Sequence, residues 1–401
     1  MLEPFHKGLK RANSILKFIG LAVDVEDNNK NFIQRFINHP IYIAHLISFN
    51  SEVYMEILWI LDAFRTGKSF LETIFFLPCI TFSLVSNFKA FVFLYFSHYI
   101  NNLVVVMEAL QAKIVETGEE RDRFEEKLMD DHVSMLINIS NRTLCLIVIG
   151  LIMFATGPLV IMLQGYYATG EVQFELPFVA YYPFDEFDIR FYPWIYIHQL
   201  WAATEAVFFV YGPDNFFFTC CTFTNIQFLL LQYDMERLIG EKSRGYDKAH
   251  FKKLALRHIE LMRCVDLMEE IFSISILVNC VTSSIMICVT GFNVLVGDNI
   301  VHMASFFAFL VFGLMQIFLY CYYGDSIMRS SYQISDAIYN SYWYNINAAE
   351  KKKIYFVLMR AQKPCRLTAY GFFNVDLNAF TSILSTSWSY FALLKTMFHP
   401  E

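Results

Sequence analysis

The sequence predicts an all-α membrane protein of seven transmembrane helices, its amino terminus cytoplasmic, its carboxyl terminus extracellular and several helices running on into the cytosol. Three observations lead there. Of the 401 residues, 56% are hydrophobic and only 17% charged, whereas globular proteins have about 45–50% apolar and about 25% charged residues. The apolar residues gather into seven runs long enough to cross the hydrocarbon core, for which a helix needs about 20 residues. The loops between those runs carry nearly all their Lys and Arg on one side.

The amino-terminal segment holds an amphipathic run, Leu9-Lys10-Arg11-Ala12-Asn13-Ser14-Ile15-Leu16-Lys17-Phe18-Ile19. It has no continuous apolar core and no small-residue cleavage site, so membrane insertion falls to the spans rather than to a removable signal. The first span, 36–64, carries Glu52, Glu56 and Asp62. The second, 72–96, carries Lys89, and the fourth, 193–221, carries Glu205. A charge at mid-membrane costs about 2.5–3.5 kcal/mol on insertion scales, which a long run of Phe, Leu and Ile offsets. The third, fifth, sixth and seventh spans, at 143–165, 271–297, 300–324 and 377–398, are almost free of ionisable groups. Segments 98–135, 233–270 and 325–375 mix apolar stripes with charge, the mark of helices that leave the membrane and pack in the cytosol or against another subunit.

Basic residues are retained on the cytoplasmic side. The amino-terminal segment has Lys7, Lys10, Arg11, Lys17, Lys30 and Arg35, and the three even-numbered loops bring the total on that side to 25. The opposite loops have only Arg65, Lys68 and Arg190. Omitting the first span would put its six basic residues outside, so the asymmetry favours seven spans over six. The resulting orientation inverts that of G-protein-coupled receptors, and the third span enters through Ile139-Ser140-Asn141-Arg142 without a D-R-Y motif. Two sequons, Asn138-Ile139-Ser140 and Asn141-Arg142-Thr143, fall at the cytoplasmic edge and are expected to be unmodified.

Catalytic signatures are missing: there is no G-x-S-x-G, H-E-x-x-H, C-x-x-C or Walker A element. The nine cysteines have no metal-ligand spacing with the ten histidines, and the net charge of −7 comes with no basic block. An enzyme, a cofactor or metal protein and a nucleic-acid binder are therefore not expected. Lys89 and Glu205 each need a partner inside the bundle, and a contact between them is one candidate.

The last span carries a more specific pattern. Ser382, Ser385, Thr386 and Ser389 recur at helical three-to-four spacing, and the same face continues through Leu393 and Met397. A hydroxyl stripe ending in two bulky apolar residues suits a wet pore with a dewetting gate, formed by several subunits. Small hydroxyl residues that let helices approach closely are the alternative. Outside, the loop at 166–192 is dense in prolines and aromatics, including Leu176-Pro177-Phe178 and Tyr182-Pro183-Phe184-Asp185. It reads equally as a lid over a cavity between helices or as a stiff connector.

At Pro364-Cys365-Arg366-Leu367-Thr368-Ala369-Tyr370-Gly371-Phe372-Phe373-Asn374-Val375-Asp376-Leu377, followed by Phe380, Ile383-Leu384 and Ser389-Tyr390-Phe391, the chain resembles the carboxyl-terminal signature of insect odorant receptors. Span number, orientation and length resemble that family over nearly the whole chain, with Tyr370 and Asp376 standing where smaller residues are expected. The resemblance implies a ligand-tuning subunit of an odorant-gated, non-selective cation channel. Its partners would be an obligate co-receptor, in a heterotetramer in the plasma membrane of olfactory sensory neurons, and a small volatile ligand within the lipid-embedded bundle. The co-receptor has a longer loop between spans four and five, which is short here at 233–270. Alignment with the co-receptor puts the pore gate at Leu393 and Met397. It also places the odorant pocket in the outer half among spans two to six, where Phe76, Cys79 and Ser83; Phe154, Gly157 and Ile161; Trp201, Thr204 and Phe208; Thr290; and His302 and Phe306 are expected. Competing readings are a G-protein-coupled type of receptor, against the orientation, a secondary transporter, against the odd span count, and a gustatory receptor channel of the related family, against the Ser389-Tyr390-Phe391 ending.

Overall fold

In the computed structural model, described over residues 2–23, 32–68, 70–112, 119–239, 247–296 and 299–398, the chain is a bundle of α-helices. The helices are α1 (Leu2–Phe18), α2 (Phe32–Ile37), α3 (Pro40–Thr66), α4 (Phe70–Tyr95), α5 (Ser97–Ala112), α6 (Glu119–Thr169), α7 (Tyr192–Glu236), α8 (Lys248–Val296), α9 (Ile300–Asn340), α10 (Ala348–Ala361) and α11 (Leu377–Phe398). Lys30, Lys113, Lys242 and Arg244, four of the 25 basic residues expected on the cytoplasmic side, lie outside the described residues.

The seven longest helices, α3, α4, α6 to α9 and α11, coincide with the seven expected spans. Four of them, α6 to α9, reach 41 to 51 residues. That is about twice a membrane crossing, so 119–142, 222–236, 248–270 and 325–340 are helical continuations of the expected spans, while the rest of the charged segments includes the separate helices α5 and α10. By length and hydropathy alone, α4, α6, α8 and α9 qualify as membrane-crossing. The polar residues of α3, α7 and α11 dilute their apolar character, and each for a different reason described below.

Helix α7 is the axis of the bundle. From Phe209 to Phe228 every residue is buried, because α1, α3, α4, α6, α8 and α9 all pack on it. It has no single apolar stripe, as expected of a helix enclosed on all sides. Helix α6 shows the opposite character, with Val148, Ile149, Ile152, Leu159 and Leu163 turned outward and exposed. Apolar side chains in that position satisfy lipid rather than protein. The amphipathic run near the amino terminus forms α1, which buries Phe5, Ala12, Leu16 and Ile19 against α7 and places Phe5 4.6 Å from the Phe223 ring.

The segment between α10 and α11 is a pinned hairpin. Thr368 and Asn374 form an antiparallel bridge, Val375 N donates to Leu367 O at 2.8 Å, and Ala369 N donates to Phe373 O at 2.9 Å. Glu269 of α8 accepts from Thr368 N at 2.7 Å, and Ser331 of α9 accepts from Cys365 N at 2.9 Å. A Cβ on Gly324 would lie 2.1 Å from Val375 O, so only glycine lets α9 approach this hairpin. The two unexpected signature residues have local reasons. Asp376 Oδ1 accepts from Ala379 N at 2.8 Å and caps α11, and Tyr370 takes a left-handed conformation at the exposed hairpin tip.

Candidate functional site

Beside the loop that joins α6 to α7, the outer loop of the expected topology, a cavity of about 290 Å³ opens among α3, α4, α6, α7 and α9. Its wall is mainly apolar, with Phe49, Phe82, Phe154, Phe309 and Phe312 supplying rings and Ala202, Ala203 and Ala206 of α7 making room for them. The outer loop reaches into it through Phe178, whose ring sits 4.6 Å from that of Phe154. That loop is fixed in place from three directions. Gln199 of α7 accepts from Phe178 N at 2.9 Å and donates to Phe178 O and to the Tyr182 hydroxyl, both at 3.1 Å. Tyr181 N donates to Met55 O of α3 at 3.1 Å. Tyr182 in turn donates to Glu52 Oε2 at 3.1 Å, and burial, with Glu52 beside it, pushes the Tyr182 phenol well above its usual range.

Of the twelve residues expected in the pocket, Cys79, Ser83 and Phe154 line this cavity. The others lie off its wall. Phe76 packs edge-on against Trp59, and a Cβ at Gly157 would touch Val301, marking close packing of α6 on α9. Ile161 is half-buried one turn further out on α6. Trp201 stacks on His45 at 5.9 Å, Thr204 donates to Leu200 O, and Phe208 sits 4.9 Å from Phe18. Thr290 is buried in α8 and donates back to Met286 O at 2.6 Å. Phe306 is buried and His302 half-buried on the faces of α9 beside the wall residues Ser305, Phe309 and Phe312. The wall thus takes in the first span and omits the fifth, a different set from spans two to six.

Sequence reasoning passed over Glu52 and Glu56 as residues of a site, treating them as charges that a span must tolerate. Both are buried and line the cavity. The available signal was their spacing: two carboxylates one turn apart inside an apolar run, where an intramembrane charge is a functional candidate by default.

The candidate contact between Lys89 and Glu205 is not made. Lys89 Nζ donates to both oxygens of Asp214, at 2.7 and 2.9 Å, and Asp214 also accepts from Gln316 at 2.6 Å and Tyr320 at 2.5 Å. Asp214 lies two and a half turns below Glu205 on the same helix, which puts it level with Lys89. Glu205 is instead held by His45 Nδ1 at 2.8 Å.

On α11, Ser382, Ser385, Thr386, Ser389, Leu393 and Met397 are all exposed in the single chain. The opposite face, with Ile383, Ser387, Phe391 and Leu394, packs toward the bundle. Thr386 and Ser389 donate to the carbonyls of Ser382 and Ser385, one turn earlier. These bonds satisfy the hydroxyls without a neighbouring helix.

The described residues thus form a bundle of long α-helices around a largely apolar cavity. The chain belongs to the seven-transmembrane odorant receptor family, whose model matches residues 69–388. It is 26% identical to putative odorant receptor 85d of Drosophila melanogaster over 98% of this chain and 95% of that one. Odorant receptor 85b of the same species is 30% identical over 56% of this chain and 57% of its own length. The olfactory receptor OR5 of Machilis hrabei, solved in complex with eugenol, has the same fold, with a TM-score of 0.82, 17% identity and 98% of each chain covered. The protein is thus a transmembrane odorant receptor.

Proposed function

We propose that the chain is the ligand-tuning subunit of an odorant-gated, non-selective cation channel that opens its pore together with a co-receptor, as a heterotetramer in the plasma membrane of olfactory sensory neurons. The observation that carries this is the division of α11 into a packed face and an exposed hydroxyl face ending in Leu393, 55% exposed, and Met397, 63% exposed. A stripe of exposed hydroxyls, two of them bonded to their own helix, suits the wall of a pore shared between subunits. Leu393 and Met397 form the gate, and Ser382, Ser385, Thr386 and Ser389 line the path. The long inner ends of α6 to α9, with α5 and α10, form the cytoplasmic subunit-contact region.

The cavity under the outer loop is the ligand site, and eugenol in the relative's complex supports a small aromatic volatile as the type of occupant. The loop acts as a lid, since Phe178 lines the cavity and Gln199 holds both Phe178 and Tyr182. Ligand binding there shifts the equilibrium toward the conformation with α11 withdrawn from the pore axis, by no more than its difference in affinity for the two states. The amino terminus is cytoplasmic, a reading supported by the Arg11 side chain of α1 donating to Asn141, within the sequon pair expected on that side.

Current recording from cells expressing the chain with and without an insect co-receptor, against a panel of volatiles, tests this reading. Ligand-evoked cation current only with the co-receptor is expected, together with altered basal current or ion selectivity for Leu393→Ser or Met397→Ser. Unchanged currents in both variants would remove the gate, and an amino-terminal tag reachable in unpermeabilised cells would remove the orientation.

A further inference from the structure

The outer cavity has a polar pole that its aromatic wall does not explain. Glu52 and Glu56 stand one turn apart on α3, exposed by only 2% and 3%, and both line the cavity. Glu52 Oε1 and Glu56 Oε2 are buried without a hydrogen-bond partner among the described residues. The groups facing them leave this pole short of positive charge. His198 Nδ1 lies 3.2 Å from Glu52 Oε2, on the oxygen that Tyr182 also serves. Ser83 of α4 lines the cavity together with them. The nearby Lys89 is committed to Asp214, and His45 to Glu205. Two carboxylates therefore share at most one imidazolium, in a setting where an uncompensated buried charge is strongly unfavourable.

A bound cation would hold both carboxyl groups in their ionised form, which only accepts hydrogen bonds, so an occupant that satisfies both free oxygens in that form donates at least twice. An alcohol or phenol offers one hydrogen and no charge. A primary ammonium offers three and supplies the missing cation. Phe49, Phe82 and Phe154 complete a ring-lined space that favours an aromatic body and attracts a cation at the ring faces.

We propose that this cavity takes a small aromatic primary ammonium ion, its N–H groups donated to Glu52 Oε1 and Glu56 Oε2 and its ring seated among the phenylalanines. The proposal rests on the cavity being the ligand site of the receptor and deepens it to a ligand class.

The test compares three molecules of one skeleton, 2-phenylethylamine, 2-phenylethanol and ethylbenzene. Binding to the full chain in lipid nanodiscs is measured by calorimetry, so that it does not depend on gating. The amine should bind at least about tenfold more tightly than the alcohol. Glu56→Gln should bring the amine down to the level of the alcohol while moving the alcohol by less than about threefold. An alcohol or hydrocarbon that binds as tightly as the amine overturns the proposal, as does amine affinity indifferent to both Glu56→Gln and Glu52→Gln. If Glu56→Gln does not fold, Glu52→Gln and the three wild-type affinities decide. Amine currents in cells expressing the chain with an insect co-receptor separate this from the channel reading. Selective amine binding with no current overturns the channel and leaves the ligand class standing, and currents to the alcohol but not the amine do the reverse.

Discussion

Two buried acidic sites lie within the same bundle and are treated in opposite ways. Asp214 receives two bonds from Lys89, one from Gln316 and one from Tyr320, so helices α4, α7 and α9 meet on it with every oxygen used. Glu52 and Glu56, nearer the 170–191 loop, each keep an oxygen without a hydrogen-bond partner among the described residues and face a cavity of about 290 Å³. Both arrangements desolvate carboxylates, but only the first satisfies every oxygen with bonds inside the protein, whereas at the second Tyr182 and His198 serve a single oxygen of Glu52. The difference separates a charge that holds helices together from charges left available to something that enters.

The largest expected effect follows from breaking the completed site. Lys89→Met leaves Asp214 buried without its cation and should destabilise the fold by about 3–5 kcal/mol. Thermal unfolding of the purified receptor should fall sharply, and Lys89→Met combined with Asp214→Leu should recover part of the loss. Glu56→Gln in the same assay should leave the midpoint unchanged or raise it, and an equal loss from both variants would erase the contrast.

A second, smaller effect extends the comparison to the inner end. His258 lies on α8 well before the apolar stretch that begins at Ile271, and burial, with Arg360 nearby, pushes its imidazole down to about 4. The folded chain keeps it neutral while the unfolded chain takes up a proton as pH falls below the ordinary value of about 6.5. The stability is therefore present above that value and is lost as pH falls toward 4, amounting to about 2 kcal/mol between pH 7 and pH 5. The pH dependence of unfolding for His258→Gln should be flatter than for the wild type by that amount.

How much of this was legible in the sequence depended on whether the signal was local. Span positions came from runs of apolar residues, and the last of these runs lies in α11, Leu377–Phe398. Its two faces were also legible, because three-to-four spacing is a property of one helix. The cavity was not, since its wall draws single faces from five helices whose rotations are set by packing on α7. Thus Cys79, Ser83 and Phe154 lie on the wall, while Thr290 and Trp201, chosen at similar depth, face elsewhere. Lys89 failed for the same reason. Depth along α7 brings Asp214, rather than Glu205, level with Lys89.

The finest test of the contrast concerns Tyr182, which belongs to the open site but not to its carboxylates. Its hydroxyl bridges Gln199 and Glu52 at 3.1 Å each, so Tyr182→Phe removes a link between the outer loop and α3 and keeps the ring in place. Losing one such bond costs about 1 kcal/mol, or roughly a fivefold weaker apparent affinity for ligand. The unfolding midpoint should hardly move, because Tyr181 N on Met55 O and Phe178 on Gln199 still hold the loop. Dose–response and unfolding curves for this one variant separate the two roles: weaker binding at constant stability assigns Tyr182 to the lid, whereas a fall in stability with affinity unchanged would return it to the scaffold that Asp214 exemplifies.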